Sequence, residues 1–240
     1  MRSDTKKKGV LYLVPTVLAP DTSGHIPPVV KLAISECQHF IVESLKLSRR
    51  HIKKLVPAKV IDNCTFMELN EHTDSVDYSD YLEPATNGHN ICLLSDAGSP
   101  AIADPGAVIV RLAHRQGIRV VPLSGPSSIL LALMASGFDG QQFHFHGYLS
   151  RDQSKRKNQL RAMEQQANKK GVTQIFMETP YRNRALLEDL LRVLNPHTQV
   201  ALAVDLTSHR ELVKCHSVGH WKKLTDLDLH KKPCIFMIGV

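Results

Sequence analysis

The chain has 240 residues, 42% of them hydrophobic and 22% charged, a balance that supports one large or two modest cores and argues against disorder. Aromatics stand at 5%, with a single tryptophan, Trp221, so the core must rest on Val, Leu, Ile and Ala. The formal charge of +7 favours anionic partners such as nucleic acid without specifying one.

The first eight residues are polar and basic, and the apolar run at 10–14 is too short for a signal-peptide core. No stretch approaches the ~18 apolar residues of a membrane span. A soluble cytoplasmic protein is expected. The five cysteines, Cys37, Cys64, Cys92, Cys215 and Cys234, show no CxxC spacing. They read as reduced thiols in a reducing compartment.

Along the chain, short β-branched runs alternate with helical patterns. Residues 10–14 predict a strand, 28–39 a helix with Val30, Ile34 and Cys37 on one face, and 40–43 a short strand. A basic helical segment follows at 48–55. The polar, acidic stretch 70–89 reads as a loop plus a helix. Residues 91–95 are apolar almost throughout, as a strand covered on both faces requires. Helix 104–116 has Asp104 as its cap, Pro105 in its first turn and Gly117 as its stop. Strand 118–122 and helix 125–137 complete the first half. This rhythm predicts parallel βαβ units.

The second half changes texture. Residues 143–148 alternate, 151–170 form a strongly charged helix, and strand 173–177 and helix 181–194 follow. Strands at 199–206 and 211–218, with no long helix between them, predict an antiparallel or mixed sheet. A final strand covers 234–240. The turn-forming cluster near 138–142 marks a boundary between two α/β lobes, 1–138 and 139–240. The first is expected to be a mainly parallel sheet with flanking helices, the second a mixed sheet with helices.

Three small-residue turns carry the chemistry. The segment SDAGSPAIADPG at 95–106 leaves a buried strand and enters a helix. Ligands of open parallel sheets bind at the carboxyl ends of strands. Small residues there admit a ligand to the backbone, and Asp96 and Asp104 offer acceptors. In VPLSGPSS at 121–128 a strand again ends in a hydroxyl-rich helix start, a favourable place for an anion. The third turn is LVPT at 13–16. All three are expected along one sheet edge. No GxGxxG and no GxxxxGK[ST] occurs, which argues against a standard dinucleotide fold or a P-loop nucleotidase.

Together with LYLVPT at 11–16, GIRVVPLSGPSS at 117–128, Ser136-Gly137, residues 145–149 and FMETPYR at 176–182, these blocks stand in the order found in the tetrapyrrole methylase family. Over roughly 11–240 the chain resembles most the branch that methylates a cytidine 2′-hydroxyl of small-subunit ribosomal RNA. The resemblance implies a homodimeric, two-lobed α/β methyltransferase with S-adenosylmethionine in the cleft between the lobes. It places Pro15, Ser95, Asp96, Ala97, Gly98, Ile102, Ser127 and Ser128 on the cofactor from the N-terminal lobe. From the C-terminal lobe it places Glu178, Asp205, Leu206, Pro233 and Cys234. The chain departs from the branch where GNLxD becomes VLAPDTSGH at 17–25, AEDTR becomes VESLK at 42–46, and ELTK becomes DLTS at 205–208. The cofactor-side blocks are kept; the substrate-side blocks have drifted.

If the acceptor is a ribose hydroxyl, a base assists its attack. Glu43, at the end of the second strand, is the first candidate; Asp96, Asp104 and Glu211 follow. Lys46, Arg49, Arg50 and Lys53 form a basic patch suited to RNA phosphates. Arg151, Lys155, Arg156, Lys157 and Arg161 form a second. Arg182 is expected to pair with an acid of the other lobe. His144 and His146 share one face of a strand, but no third ligand is evident, so no metal is expected. Besides RNA methylation, two readings stay open: methylation of a tetrapyrrole or other small molecule, and a non-catalytic S-adenosylmethionine- or RNA-binding module. The basic patches favour RNA.

Overall fold

A computed structural model describes residues 7–70, 73, 78–224 and 227–240. Residues 1–6 of the basic N-terminus, and 71–72 and 74–77 of the expected loop and helix at 70–89, lie outside the described residues. The chain divides into two compact units, Met1–Ser127 and Ser128–Val240.

The first unit contains strands β1 (Val10–Val14), β2 (His39–Val42), β3 (Thr65–Glu68), β4 (Ile91–Leu94) and β5 (Arg119–Pro122). Helices α1 (Pro28–Glu36), α2 (Leu45–Leu55), α3 (Glu83–Thr86) and α4 (Gly106–Arg115) connect them. The sheet order is β3-β2-β4-β1-β5, and every pairing is parallel. The period-2 rule divides the strand side chains between two cores. Val14, Phe40, Val42, Cys92 and Leu94 pack with Val30 and Ile34 of α1 and Ile52 of α2. On the opposite face Leu11, Ile41, Ile91 and Leu93 pack with Ala85 of α3 and Ile109 of α4. Each fully buried Leu or Ile contributes about 1.5–3 kcal/mol.

Strand β3 was not expected from the sequence. It is a four-residue edge strand, TFME, with both ends exposed, so it carries no continuous apolar run. Helix α2 begins three residues before the expected segment, where the Ser44 side chain caps it by accepting from Leu47 N. Helix α4 begins at Gly106 with Pro105 as its N-cap. Asp104 therefore stands one residue outside the expected cap position.

The second unit contains α5 (Ser128–Ser136), β6 (Phe143–Tyr148), α6 (Gln153–Lys170), β7 (Thr173–Met177), α7 (Asn183–Val193), β8 (Gln199–Val204), β9 (Leu212–Ser217), α8 (Val218–Trp221) and β10 (Cys234–Gly239). Its sheet order is β6-β7-β10-β8-β9. Only the β6–β7 pair is parallel, so the sheet is mixed, as the late strands predict. Helix α5 packs on β8, β9 and β10 and belongs to this unit, so the division falls before that helix rather than after it. Phe176, Phe236 and Trp221 anchor the core. Among the described residues no helix is long and apolar enough to cross a membrane.

Candidate active site

Parallel pairing puts the carboxyl ends of β1, β2, β3, β4 and β5 on one rim. The chain leaves β1 and β2 through α1 and α2, against one face of the sheet. It leaves β4, which lies between them, through α4 against the other face. Such a reversal opens a crevice at the strand ends, where α/β proteins bind ligands.

The 95–106 loop fills this rim and is tied to its neighbours. Thr16 and Gly98 form an antiparallel bridge, with Thr16 N donating to Gly98 O at 2.9 Å. Ser99 Oγ donates to Pro126 O at 3.4 Å. Gly125 lies so close to Pro15 that a Cβ there would fall 2.2 Å from Pro15 Cγ. The three turns singled out in the sequence thus meet. Within the loop, Gly98, Ala101 and Ala103 have φ of +75°, +66° and +60°. Two alanines in left-handed conformations store strain that persists only where the surroundings impose it. Asp104 helps impose it. Its carboxylate accepts Ala101 N at 2.8 Å and Gly106 N at 2.7 Å.

Glu43 also fastens the loop: its Oε2 accepts Asp96 N at 3.0 Å. Burial, and then the Glu43 charge, raise the Asp96 carboxyl above its ordinary range. Burial likewise raises Asp104, its amide donors pull the other way, and Glu43 again adds to the rise. Glu68, which the sequence did not single out, joins this rim: its Oε1 accepts Leu45 N at 3.4 Å. Of the expected cofactor residues here, Pro15, Ser95 and Gly98 are buried, whereas Asp96, Ala97 and Ile102 are exposed. Ser127 closes the first unit, and Ser128 opens α5 in the second. Thr16 Oγ1 is buried without a hydrogen-bond partner, and buried hydroxyls in that state are rare. Periodicity alone gives no sign of it.

The α2 helix starts two residues after Glu43. Ser48, Ile52 and Leu55 face the core, and Lys46, Arg49, Arg50 and Lys53 are exposed. Arg49 lies over the Phe66 ring at 4.9 Å, and Lys53 Nζ donates to Lys59 O at 3.1 Å.

The second unit has a rim of its own. Strand β10 runs antiparallel to β7 and β8, so its start meets their ends. This gathers Glu178, Asp205, Leu206, Pro233 and Cys234. Asp205 N donates to Pro233 O at 3.0 Å. Asp205 has φ of +48°, and its Oδ2 is buried with no hydrogen-bond partner, 3.9 Å from Arg210 Nε. Cys234 is buried, which pushes its thiol far up. Glu211 Oε2 accepts Thr207 N at 2.6 Å in the β8–β9 turn.

Two sequence expectations are corrected. Arg182 pairs with Glu178, four residues earlier in its own unit, because a tight turn, closed by Arg182 N donating to Thr179 O at 2.9 Å, brings it back beside Glu178. Arg156 is buried rather than part of an exposed patch. Its guanidinium donates to Asp189 from Nε at 2.9 Å and from Nη1 to Ser150 O at 3.0 Å. Lys155 and Arg161 of the same helix are exposed. His146 pairs with Gln174 at 2.7 Å and its ring contacts that of His144. Among the described residues no three His, Cys, Asp or Glu side chains gather as a metal site would require.

The profile of the Tetrapyrrole (Corrin/Porphyrin) Methylases family matches residues 14–219. A ribosomal RNA small subunit methyltransferase I from Escherichia coli O157:H7 is 33% identical over 91% of this chain and 72% of that protein. A protein of the same name from Bacillus subtilis (strain 168) is 34% identical over 85% of this chain and 65% of its own length. The solved structure of the methyltransferase CobJ matches 96% of this chain and 94% of that one, with a TM-score of 0.64 at 16% identity; that likeness carries the fold. With its parallel sheet and strand-end rim, and with a family match over most of its length, this chain belongs to the tetrapyrrole (corrin/porphyrin) methylase family and is a methyltransferase.

Proposed function

We propose that the chain transfers a methyl group from S-adenosylmethionine to RNA, at a cytidine 2′-hydroxyl of the small-subunit ribosomal RNA. The observation that carries this reading is the helix α2. It leaves the same strand end as Glu43 and exposes Lys46, Arg49, Arg50 and Lys53. A cationic face beside a rim carboxylate suits a polyanion carrying a hydroxyl to be deprotonated. The names of the relatives support the same acceptor class.

The residues present fit the cofactor. In the first unit the buried Thr16 Oγ1 lacks a hydrogen-bond partner, which a polar ligand would supply; in the second, Asp205 Oδ2 accepts no hydrogen bond and has only the distant Arg210 guanidinium beside it. Pro15, Ser95, Asp96, Ala97, Gly98, Ile102, Ser127 and Ser128 are assigned to it on one rim. Glu178, Asp205, Leu206, Pro233 and Cys234 are assigned to it on the other. S-adenosylmethionine supplies a methyl group on a sulfonium, so the leaving group is activated before it binds. The work left to the chain is to orient the acceptor, exclude water and take up a proton. Glu43 takes the hydroxyl proton, and the α2 cations hold the flanking phosphates. The same reading has the chain working as a homodimer, which light scattering reads directly. The exposed Leu130 and Met134, one turn apart on α5, suit such a contact.

Labelled-methyl transfer to small subunits from a strain lacking the endogenous enzyme, beside a porphyrinoid control, tests the acceptor. Label in the RNA and none in the porphyrinoid is expected. Label only in the porphyrinoid overturns the RNA assignment.

A further inference from the structure

Tyr181 stands 72% exposed in the turn between β7 and α7, three residues after Glu178. A large aromatic ring there buries little and contributes little to the core. It is not solitary. Lys231 Nζ lies 5.9 Å from its centroid, and the His230 ring meets it edge-on at 6.4 Å. Both residues are exposed. Among the described residues, Glu178 is matched by Arg182 and Asp228 by Lys232 at 2.9 Å. Among the described residues, the cation over the ring is the Lys231 ammonium.

The backbone holds this arrangement in place. Lys231 has φ of +57°, a conformation that a residue with a side chain adopts only under constraint. Fully buried Asn183 supplies one constraint, its Nδ2 donating to Lys232 O at 2.6 Å. The second is Asp205 N, which donates to Pro233 O at 3.0 Å. The backbone just after Lys231 is thus held through two successive carbonyls.

An exposed ring with a cation over one face leaves its other face for an unpaired nucleobase, whose phosphate the cation can meet. We propose that Tyr181 is a stacking platform for a single unpaired base of the RNA substrate, with Lys231 contacting the adjoining phosphate and His230 bracing the ring. This rests on the RNA reading above and adds to it a specific binding station on the second unit. Tyr181 here is a substrate-positioning residue, separate from the proton chemistry.

The test compares wild type with Tyr181→Leu, Tyr181→Phe and Lys231→Ala in methyl transfer to small subunits. Calorimetric uptake of S-adenosylmethionine and the thermal midpoint serve as controls. Tyr181→Leu is expected to raise KM for the subunit about tenfold, with cofactor uptake and midpoint as in wild type. Tyr181→Phe, which keeps the ring, rescues most of that loss. Lys231→Ala lowers the salt dependence of KM by about one phosphate contact. A wild-type KM for Tyr181→Leu, or an equal loss in Tyr181→Phe, overturns the platform while leaving the RNA reading intact. No transfer to RNA by the wild-type protein overturns both.

Discussion

The carboxylate of Glu43 accepts the backbone amide of Asp96 at 3.0 Å, so the end of β2 is latched to the loop that leaves β4. The proposed role as base and the observed latch fall on the same side chain, and substitution separates them. Glu43→Gln keeps an oxygen that accepts the Asp96 amide but removes the charge. It is expected to retain cofactor uptake and fold stability while losing transfer by about 100-fold or more, the usual contribution of a positioned base. Glu43→Ala loses the latch as well, at about 1 kcal/mol of stability. Single-turnover transfer and urea unfolding read the two effects. Undiminished transfer in Glu43→Gln removes Glu43 as the base.

The same charge sets the titration of the rim. Asp96 is raised from 3.8 by burial first and by Glu43 second, and Asp104 by burial, with Glu43 assisting. A carboxyl whose pKa is higher in the folded state binds more protons there. Its contribution to stability is therefore greatest below the unfolded value and falls as pH rises through the folded one. Glu43→Gln removes a like charge and should move both titrations down towards 3.8. Carbon-detected NMR of the carboxyl groups reads each midpoint. Midpoints that stay where they are in the variant contradict this electrostatic coupling.

Arg156 and Asp189 form a buried pair, with side chains 11% and 3% exposed. Burial alone would raise the Asp189 carboxyl, but hydrogen bonds from Arg156 and Gln153 outweigh it and hold the carboxyl below its usual range. Removing one partner strands the other, so Asp189→Leu or Arg156→Met alone should cost about 3–5 kcal/mol. The double variant Arg156→Met/Asp189→Leu should recover most of that loss. Denaturant unfolding of the three variants checks it, and additive losses would show that the two side chains do not act as a pair.

The exposed face of α2 should act through phosphates. Replacing Lys46 and Arg50 together with alanine is expected to weaken small-subunit binding at low salt and to flatten the plot of log affinity against log salt by about 1.4 if both contact single strands. Binding titrations across a salt series measure the slope. An unaltered slope would return this helix to the role of a solvated surface.

Much of the first sheet was legible because β4 reads ICLL and is buried throughout, leaving a doubly covered parallel strand as the natural reading. The turns after β1, β4 and β5 could be placed on one rim for the same reason. Strand β3 escaped because TFME has exposed ends and pairs only with β2. The burial of Arg156 is not legible because α6 is charged on nearly every side, so composition does not reveal which cation turns inward; Asp189, its partner, is 33 residues away. Helix α5 was assigned to the first unit because β5 leads straight into it. Its packing on β8, β9 and β10 depends on strands at least 63 residues downstream (199 − 136), beyond the reach of local pattern. The buried oxygens of Thr16 and Asp205 that lack hydrogen bonds depend on three-dimensional burial, which no motif records.

Cofactor uptake is the property on which methyl transfer by this chain most directly depends. Titration calorimetry of the purified protein with S-adenosylmethionine should show saturable binding to each chain, weakened by Thr16→Val and Asp205→Asn if their buried oxygens meet the cofactor as proposed. Absence of any binding heat over a range of temperatures, with the protein folded, would contradict it.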